Sequence, residues 1–112
     1  MAASGAPYTF LEFRAADLAQ SGIEYPAGPY PTAVVTTGAQ EGLIAGGISS
    51  LDGPDVYVYP AGEPGRRSST FDLKASQQLM DRGLVWAADG TSLFAVSGSI
   101  NGTDIRLHVI HP

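Results

Sequence analysis

The stretch that decides the fold is Gly83–Pro112, GLVWAADGTSLFAVSGSINGTDIRLHVIHP. Two apolar runs are separated by an Asp-Gly pair, and a third run follows an Asn-Gly pair. Asp-Gly and Asn-Gly favour the left-handed backbone of tight hairpin turns, and runs rich in β-branched and aromatic residues favour strands. The stretch therefore predicts three antiparallel strands joined by two short turns.

The composition of the whole chain agrees with an all-β fold. The chain has 112 residues, which is the size of one domain, so residues 1–112 are expected to form a single β domain. Hydrophobic residues make up 44% of the chain and charged residues only 15%, which indicates a globular protein. The 14 glycines and 8 prolines suit short strands and turns better than long helices.

Charge and cysteine content exclude several classes of function. The formal net charge is −5, so a nucleic-acid partner, which requires clustered Lys and Arg, is not expected. The one basic pair, Arg66-Arg67, lies in a Gly/Pro/Ser-rich loop and is interpreted as a solvated loop. The absence of cysteine excludes disulfides, thiolate catalysis and cysteine-based zinc sites.

Targeting signals are also absent from the pattern of the sequence. The first residues have no basic segment followed by a long apolar one, so no signal peptide is predicted. No apolar run approaches the roughly eighteen residues of a membrane span, so no membrane insertion is expected. The default expectation is a cytoplasmic protein, or a secreted one if the chain is a fragment of a larger protein.

Nine segments carry strand signals, because β-branched and aromatic residues in each are bounded by turn formers. Two further segments, Ala15–Gln20 and Lys74–Gly83, contain helix formers but are short, so each is treated as a loop or a single helical turn. The nine predicted strands are Tyr8–Arg14, Gly22–Tyr25, Thr32–Thr37, Gly42–Ser49, Asp55–Pro60, Ser69–Lys74, Gly83–Ala87, Ser92–Ser97 and Asp104–Ile110.

The segments before and within the opening stretch align with each other at a spacing of about fifty residues. Turn residues fall on turn residues, and apolar runs fall on apolar runs. The aligned pairs are Val34-Val35 with Leu84-Val85 and Leu43–Ala45 with Leu93–Ala95 at a spacing of fifty, then Val56–Tyr59 with Ile105–His108 at forty-nine.

This alignment predicts two units of four strands, the first in residues 22–62 and the second in residues 63–112. A period of forty to fifty residues with four strands per unit indicates a β-propeller blade. Residues 1–21 hold one extra strand, Tyr8–Phe13, in the place of a preceding unit's outer strand. An immunoglobulin-like β-sandwich remains the alternative fold. The units are Ile23–Tyr25, Thr32–Thr37, Gly42–Ser49 and Asp55–Tyr59, then Ser69–Leu73, Gly83–Ala87, Leu93–Ser97 and Asp104–Ile110.

The segment WAADGTSLFAVSG resembles the blade motif of TolB-like and YncE-like (YVTN-type) β-propellers, as found in actinobacterial repeat proteins. The resemblance covers about residues 22–112 and implies blade architecture. It implies no activity, because such blades serve hydrolases, carriers and scaffolds alike. Ala88 stands where the motif has proline. The matching residues are Trp86, Asp89, Gly90, Leu93 and Val96.

The motif residues have physical roles that the resemblance does not supply. Trp86 offers a broad apolar side chain to fill the space between neighbouring blades. Glycine lacks a Cβ, so Gly46, Gly47 and Gly98 are expected to let sheets approach closely.

Two blades cannot close a ring, since propellers have about four to eight. The outermost faces are expected to expose Val34, Ile44, Leu84 and Phe94, and such patches mark interaction surfaces. The chain is therefore expected to form a homo-oligomer, for example three copies with six blades, or to be part of a longer propeller. Tyr8–Phe13 is expected to pair with a neighbour's sheet edge.

The expected function is a non-enzymatic protein-interaction or scaffold module. The alternative is an enzyme or small-ligand-binding propeller whose site forms in the central channel only on assembly. No catalytic, cofactor-binding or metal-binding residue is predicted, and no cofactor is implied.

Several residues have the chemistry of site residues but are interpreted as structural. His108 and His111, three apart, point to opposite faces of an extended strand and cannot grip one ion together. His108, Asp104 and Ser97 hold catalytic residue types, but their spacing does not support a triad. The loops Asp52–Asp55 and Asn101–Asp104 are interpreted as turns, with weak cation binding as the alternative.

The tetrapeptide YPAG occurs twice, at Tyr25–Gly28 and Tyr59–Gly62. The two copies are thirty-four residues apart, which does not fit the fifty-residue spacing. The motif is interpreted as a way for the chain to leave a strand, and it also raises the question of whether the first unit is aligned correctly.

Overall fold

A computed structural model describes residues 2–5, 8–39, 42–49, 53–66, 69–74 and 76–112 of the chain. These residues form ten strands and no helix, which confirms the all-β prediction. The strands are β1 (Ala2–Gly5), β2 (Thr9–Phe13), β3 (Gln20–Pro26), β4 (Pro31–Thr37), β5 (Leu43–Ile48), β6 (Val56–Pro60), β7 (Ser69–Phe71), β8 (Gln77–Trp86), β9 (Leu93–Ser99) and β10 (Ile105–Ile110).

The strands form three antiparallel sheets that stack as layers. The first sheet has the order β1-β2-β3, the middle sheet β4-β5-β6-β7, and the third sheet β10-β9-β8. One core lies between the first and middle sheets and contains Phe10, Tyr25, Ile44 and Tyr59. A second core lies between the middle and third sheets. It contains Ala33, Ala45, Val56, Val58, Leu73, Leu79, Leu84, Leu93, Ala95 and Ile110.

Two consecutive glycines in β5 allow the middle sheet to be covered on both faces. A Cβ atom built at Gly46 would overlap the ring of Phe10 in the first sheet, and one at Gly47 would overlap Leu79 in the third. Consecutive strand residues point to opposite faces, so each glycine admits one neighbouring sheet. The predicted role of these two glycines is confirmed. The prediction for Gly98 is wrong, because a Cβ there would meet Ile105 and Met80 of its own sheet.

The β8–β9 hairpin turns at the Asp-Gly pair, as predicted. Gly90 has a φ of +72°, and the Asp89 carboxylate accepts hydrogen bonds from the Thr91 N–H at 3.0 Å and hydroxyl at 2.7 Å. Trp86 packs against the second core, and its indole N–H lies 3.4 Å from the Val35 carbonyl in the middle sheet. Trp86 therefore lies between two sheets, while the prediction that these sheets are propeller blades stays a prediction.

The strand sets of both predicted units need correction. Ile23–Tyr25 lies in β3 and pairs with β2, not with Thr32–Thr37. One reason is that Pro29 and Pro31, before and at the start of β4, lack the N–H groups that a ladder requires.

At the other junction, Ser69–Phe71 pairs with β6 and completes the middle sheet, because consecutive strands joined by a short connection tend to pair. The third sheet therefore has three strands rather than four. Tyr8–Phe13 is not a stray strand, since β2 is the centre of the first sheet.

The segment Lys74–Gly83 is mostly strand, and its interpretation as a loop or helical turn is wrong. In β8, Gln77 and Leu79 are buried while Gln78 and Met80 are more exposed, an alternation that is typical of a strand. The register with β9 shifts between Leu79 and Leu84, and this irregularity hid the pattern. The other segment, Ala15–Gln20, does contain a turn before β3 begins at Gln20.

One hairpin of each sheet has the same pairing register. Equivalent pairs differ by 34 residues between the first and middle sheets and by 50 between the middle and third. The counterpart of Tyr59 is therefore Val109 rather than His108, and the forty-nine-residue step was wrong by one. The fifty-residue repeat as a whole stays a prediction. The equivalent pairs are Phe10 with Tyr25, Ile44 with Tyr59, and Phe94 with Val109.

The two YPAG copies hold the first and middle sheets together through hydrogen bonds and a ring contact, which we call the clasp. The hydroxyl of Tyr25 accepts a hydrogen bond from the Gly62 N–H at 2.8 Å, and that of Tyr59 donates to the Pro26 carbonyl at 2.6 Å. The two rings contact each other with centroids 5.5 Å apart. Strands β3 and β6 end at the prolines of the motif, which confirms its interpretation as a strand exit.

Removing one bond of this clasp is expected to destabilise the protein. We expect Tyr59→Phe to lower the free energy of unfolding by about 1 kcal/mol, because the buried Tyr59 side chain loses its hydrogen bond to the Pro26 carbonyl. Urea denaturation measures the change. Tyr30→Phe removes a hydroxyl from a side chain that is 69% exposed, and should leave the midpoint within experimental error. Equal midpoints for the two variants would contradict the clasp.

Candidate functional site

The third sheet exposes large apolar side chains on the side that faces away from the middle sheet. Leu107 is 66% exposed, Val85 is 58% exposed, and Ile105 and Val109 are each 54% exposed. Phe94 and Val96 lie half-buried between them. We call these six residues the outer face.

Strand pairing makes the outer face continuous. One row runs Val85–Phe94–Val109 across all three strands, and the next pairs Val96 with Leu107. Residues two apart in a strand share a face, so these rows and Ile105 lie side by side. All six side chains are apolar, and a contiguous apolar patch of this kind marks an interaction surface.

The predicted exposure was correct for only one of four residues. Phe94 lies on the outer face. Ile44 and Leu84 are buried, and Val34 packs against the first core. For Ile44 and Val34 the prediction failed because it did not count the layer contributed by β2 and β3, and for Leu84 because the middle sheet covers that side of β8.

A shallow depression interrupts the outer face at Gly98. It has a volume of about 320 Å³ and is lined in part by Met80, Gly98 and Ile105. At Gly98 itself the side chains of Ile105 and Met80 cover the strand, so these side chains form the wall of the depression.

Equivalent hairpin positions share a core in both places where two sheets of this chain pack. The Phe10–Tyr25 pair contacts its equivalent, the Ile44–Tyr59 pair, in the first core. The second core contains both Ala45 and its equivalent, Ala95. In the third sheet the equivalent of the Ile44–Tyr59 pair is Phe94–Val109, which lies on the uncovered outer face.

On the inner side of the third sheet, the structure brings together residue types that the sequence had suggested for catalysis. The Ser97 hydroxyl lies 2.7 Å from His108 Nε2 and donates to Gln77 Oε1 at 2.5 Å. The Gln77 amide nitrogen lies 3.3 Å from Asp104 Oδ2. Ser97, His108 and Asp104 therefore belong to one hydrogen-bonded network, joined by a glutamine that sequence reasoning missed.

The direction of the hydrogen bonds in this network is opposite to that of a catalytic triad. Asp104 accepts a hydrogen bond from the Gln77 amide nitrogen, which fixes the orientation of that amide. Gln77 Oε1 therefore accepts the hydrogen bond from the Ser97 hydroxyl, and His108 Nε2 must donate to the Ser97 oxygen. A triad instead needs a histidine that accepts the serine proton. Ser97 is also fully buried. Burial, with the charge of Arg106, lowers the pKa of His108 and favours its neutral form. This hydrogen-bond pattern therefore differs from that of a triad.

The other candidate residues make separate hydrogen bonds. His111 Nδ1 lies 3.1 Å from the Ser92 hydroxyl, so the two histidines do not share a site. Asn101 Oδ1 accepts hydrogen bonds from the Ser99 hydroxyl at 2.6 Å and the Thr103 hydroxyl at 2.8 Å, as expected of a turn. Asp52 and Arg67 lie outside the described residues.

The described residues contain neither a metal-binding cluster nor a membrane-spanning helix. Across residues 8–112, apart from the gaps named above, no group of three or more His, Asp or Glu residues is placed to hold a metal ion. In the same part of the chain, no helix has the length and apolarity that a membrane span requires.

Comparison with protein-family models, curated proteins and solved structures finds no match to this chain. The likeness to TolB-like and YncE-like propellers therefore remains an expectation from the sequence.

Proposed function

We propose that this protein is a non-enzymatic interaction module that associates with a second copy of itself through the outer face. The observation that carries the proposal is the continuous apolar surface of Val85, Phe94, Val96, Ile105, Leu107 and Val109. Removing such surface from water is favourable by about 25 cal/mol per Å².

The second copy is favoured as the occupant because of how the sheets already pack. Within the chain, equivalent hairpin positions face each other, and an outer face on an outer face continues that arrangement. A contact of identical surfaces is two-fold symmetric and closes on itself. The ring expected from the sequence needs two unlike faces to meet. The far side of the first sheet suits such a contact poorly, because Glu24 is exposed there opposite Leu11.

Charge placed at the centre of the outer face is expected to separate the two copies. Multi-angle light scattering of the native chain should give twice the chain mass of 11.6 kDa. Leu107→Lys should raise the dissociation constant at least about a hundredfold, since a buried, unpaired ammonium is costly. Thr70→Lys adds the same charge at an exposed position of β7 in the middle sheet and should leave the dimer intact.

Three results would overturn the proposal. A native chain that stays monomeric at millimolar concentration shows that nothing of its own covers the outer face. Equal dissociation in both lysine variants shows that the contact lies elsewhere. A mass of three or more copies shows a ring or a longer assembly instead of a two-fold dimer.

A further inference from the structure

A cleft opens between the first and middle sheets, on the opposite side of the middle sheet from the outer face. It lies beside the end of β2, the end of β4 and the start of β5, and its volume is about 590 Å³. Small-molecule sites typically measure about 300–1,000 Å³. Its apolar walls include Phe13, Val34, Leu43 and Ile44.

A single carboxylate is fixed at the wall of this cleft. The buried Tyr25 hydroxyl accepts from the Gly62 N–H at 2.8 Å and therefore directs its own proton to Glu12 Oε2, 2.9 Å away. Burial raises the pKa of Tyr25, so the phenol keeps that proton. The bond orients the Glu12 carboxylate and leaves its second oxygen, Oε1, for a donor that enters the cleft.

No described residue that lines the cleft carries a positive charge to balance Glu12. Of the described residues that line it, Glu12 alone is an Asp, Glu, Lys, Arg or His. The nearest cation in the sequence, Arg14, is paired with Asp17 at 3.3 Å in the turn that follows β2. A half-buried anion with apolar surface beside it is complementary to a cation that carries an apolar body.

We propose that this cleft binds small organic amines with an aliphatic or aromatic body. The ammonium group donates to Glu12, and the body packs against Val34, Leu43 and Ile44. The proposal is independent of self-association, because the cleft and the outer face lie on different sides of the middle sheet.

The test compares three probes of one shape on the native protein. Phenethylamine, 2-phenylethanol and 3-phenylpropionate are titrated while backbone amide chemical shifts are followed. We expect saturable shifts in the cleft residues with the amine, and binding at least about tenfold weaker with the alcohol and the acid, because each lacks the charge-assisted bond.

Two matched variants locate the charge. Glu12→Gln keeps an acceptor for Tyr25 and should weaken amine binding about tenfold. Glu24→Gln removes the same charge from the exposed side of the same sheet and should leave binding unchanged within about twofold. Ala15→Trp, at the exposed rim, should block the cleft to all probes.

Any of three outcomes would overturn the inference. The first is no saturable shift with phenethylamine at about 20 mM, a concentration that reveals even millimolar binding. The second is equal binding of the amine and the alcohol. The third is equal weakening of amine binding by the two Gln variants. The comparison of probes uses the native chain, so it stands even if a variant folds poorly.

Discussion

Gly46→Val is expected to abolish or nearly abolish the folded state, with a loss of about 3 kcal/mol or more in the free energy of unfolding. A Cβ atom at this position would overlap three ring atoms of Phe10, which is itself only 2% exposed. Phe10 belongs to the first core, so moving its ring would disturb the packing of Tyr25, Ile44 and Tyr59. Gly46 also lies in β5, which pairs on both sides, so the strand cannot retreat. Circular dichroism during urea denaturation measures the loss.

Two further variants separate this steric effect from the general cost of replacing a glycine. Gly38→Val introduces the same side chain where no atom lies within 4 Å of a new Cβ, and it should change stability by no more than about 0.5 kcal/mol. Adding Phe10→Ala to Gly46→Val should recover part of the loss, because the ring that clashes is gone. A Gly46→Val protein with the native midpoint would show that the first and middle sheets are not packed as described.

Asp55→Asn is expected to stabilise the protein at pH 7 by about 1–3 kcal/mol. Asp55 is buried at the start of β6, and its Oδ2 accepts from the Leu73 N–H at 2.9 Å. Among the described residues, Oδ1 has no hydrogen-bond partner. Burial, with the negative charge of Asp72, raises the pKa of Asp55 to about 6 from 3.8. An asparagine keeps the acceptor for Leu73 and removes the buried charge.

The sign of the pH dependence follows from this raised pKa. The folded state holds the Asp55 proton more tightly than the unfolded state, so the stabilisation is present below pH 3.8 and is lost as the pH rises through about 6. The native protein should therefore lose about 3 kcal/mol across this window, while Asp55→Asn should not.

Urea denaturation at pH 4.5, 6 and 7.5 tests the Asp55 prediction. Asp81→Asn, at an exposed position of β8, serves as the control and should keep the native pH dependence. If Asp55→Asn is less stable than the native protein at pH 7.5, Asp55 must make an ionic contact that the described residues do not contain.

Local sequence signals predicted much of the fold. The Asp89-Gly90 turn, the strands rich in valine and tyrosine, and the paired glycines of β5 each follow from the backbone preferences of a few adjacent residues. What depended on distant partners was missed. Ser69–Phe71 has the same composition whether it starts one sheet or ends another, and the irregular register of β8 masks its alternation.

The two candidate sites were not predictable from the sequence for a related reason. Glu12 has no distinguishing neighbours along the chain, and its role depends on Tyr25 and Gly62, which come from other parts of the fold. The outer face could be anticipated only in part. Alternation predicts which residues of β9 and β10 share a side, but not which side the middle sheet covers. The YPAG pair marks the strand ends where the first two sheets contact each other, but the sequence analysis interpreted it only as a strand exit.

The doubly covered middle sheet also sets when the chain can fold during synthesis. Gly46 and its neighbours in β5 receive one covering layer from strands made before them, but the other, which includes Leu79 and Leu84, is made afterwards. When the growing chain ends at residue 74, the side of β5 and β6 that carries Ala45 and Val58 is still exposed to water. The ribosome must therefore release most of the polypeptide before β5 is enclosed, and until then chaperones have an apolar strand pair to hold.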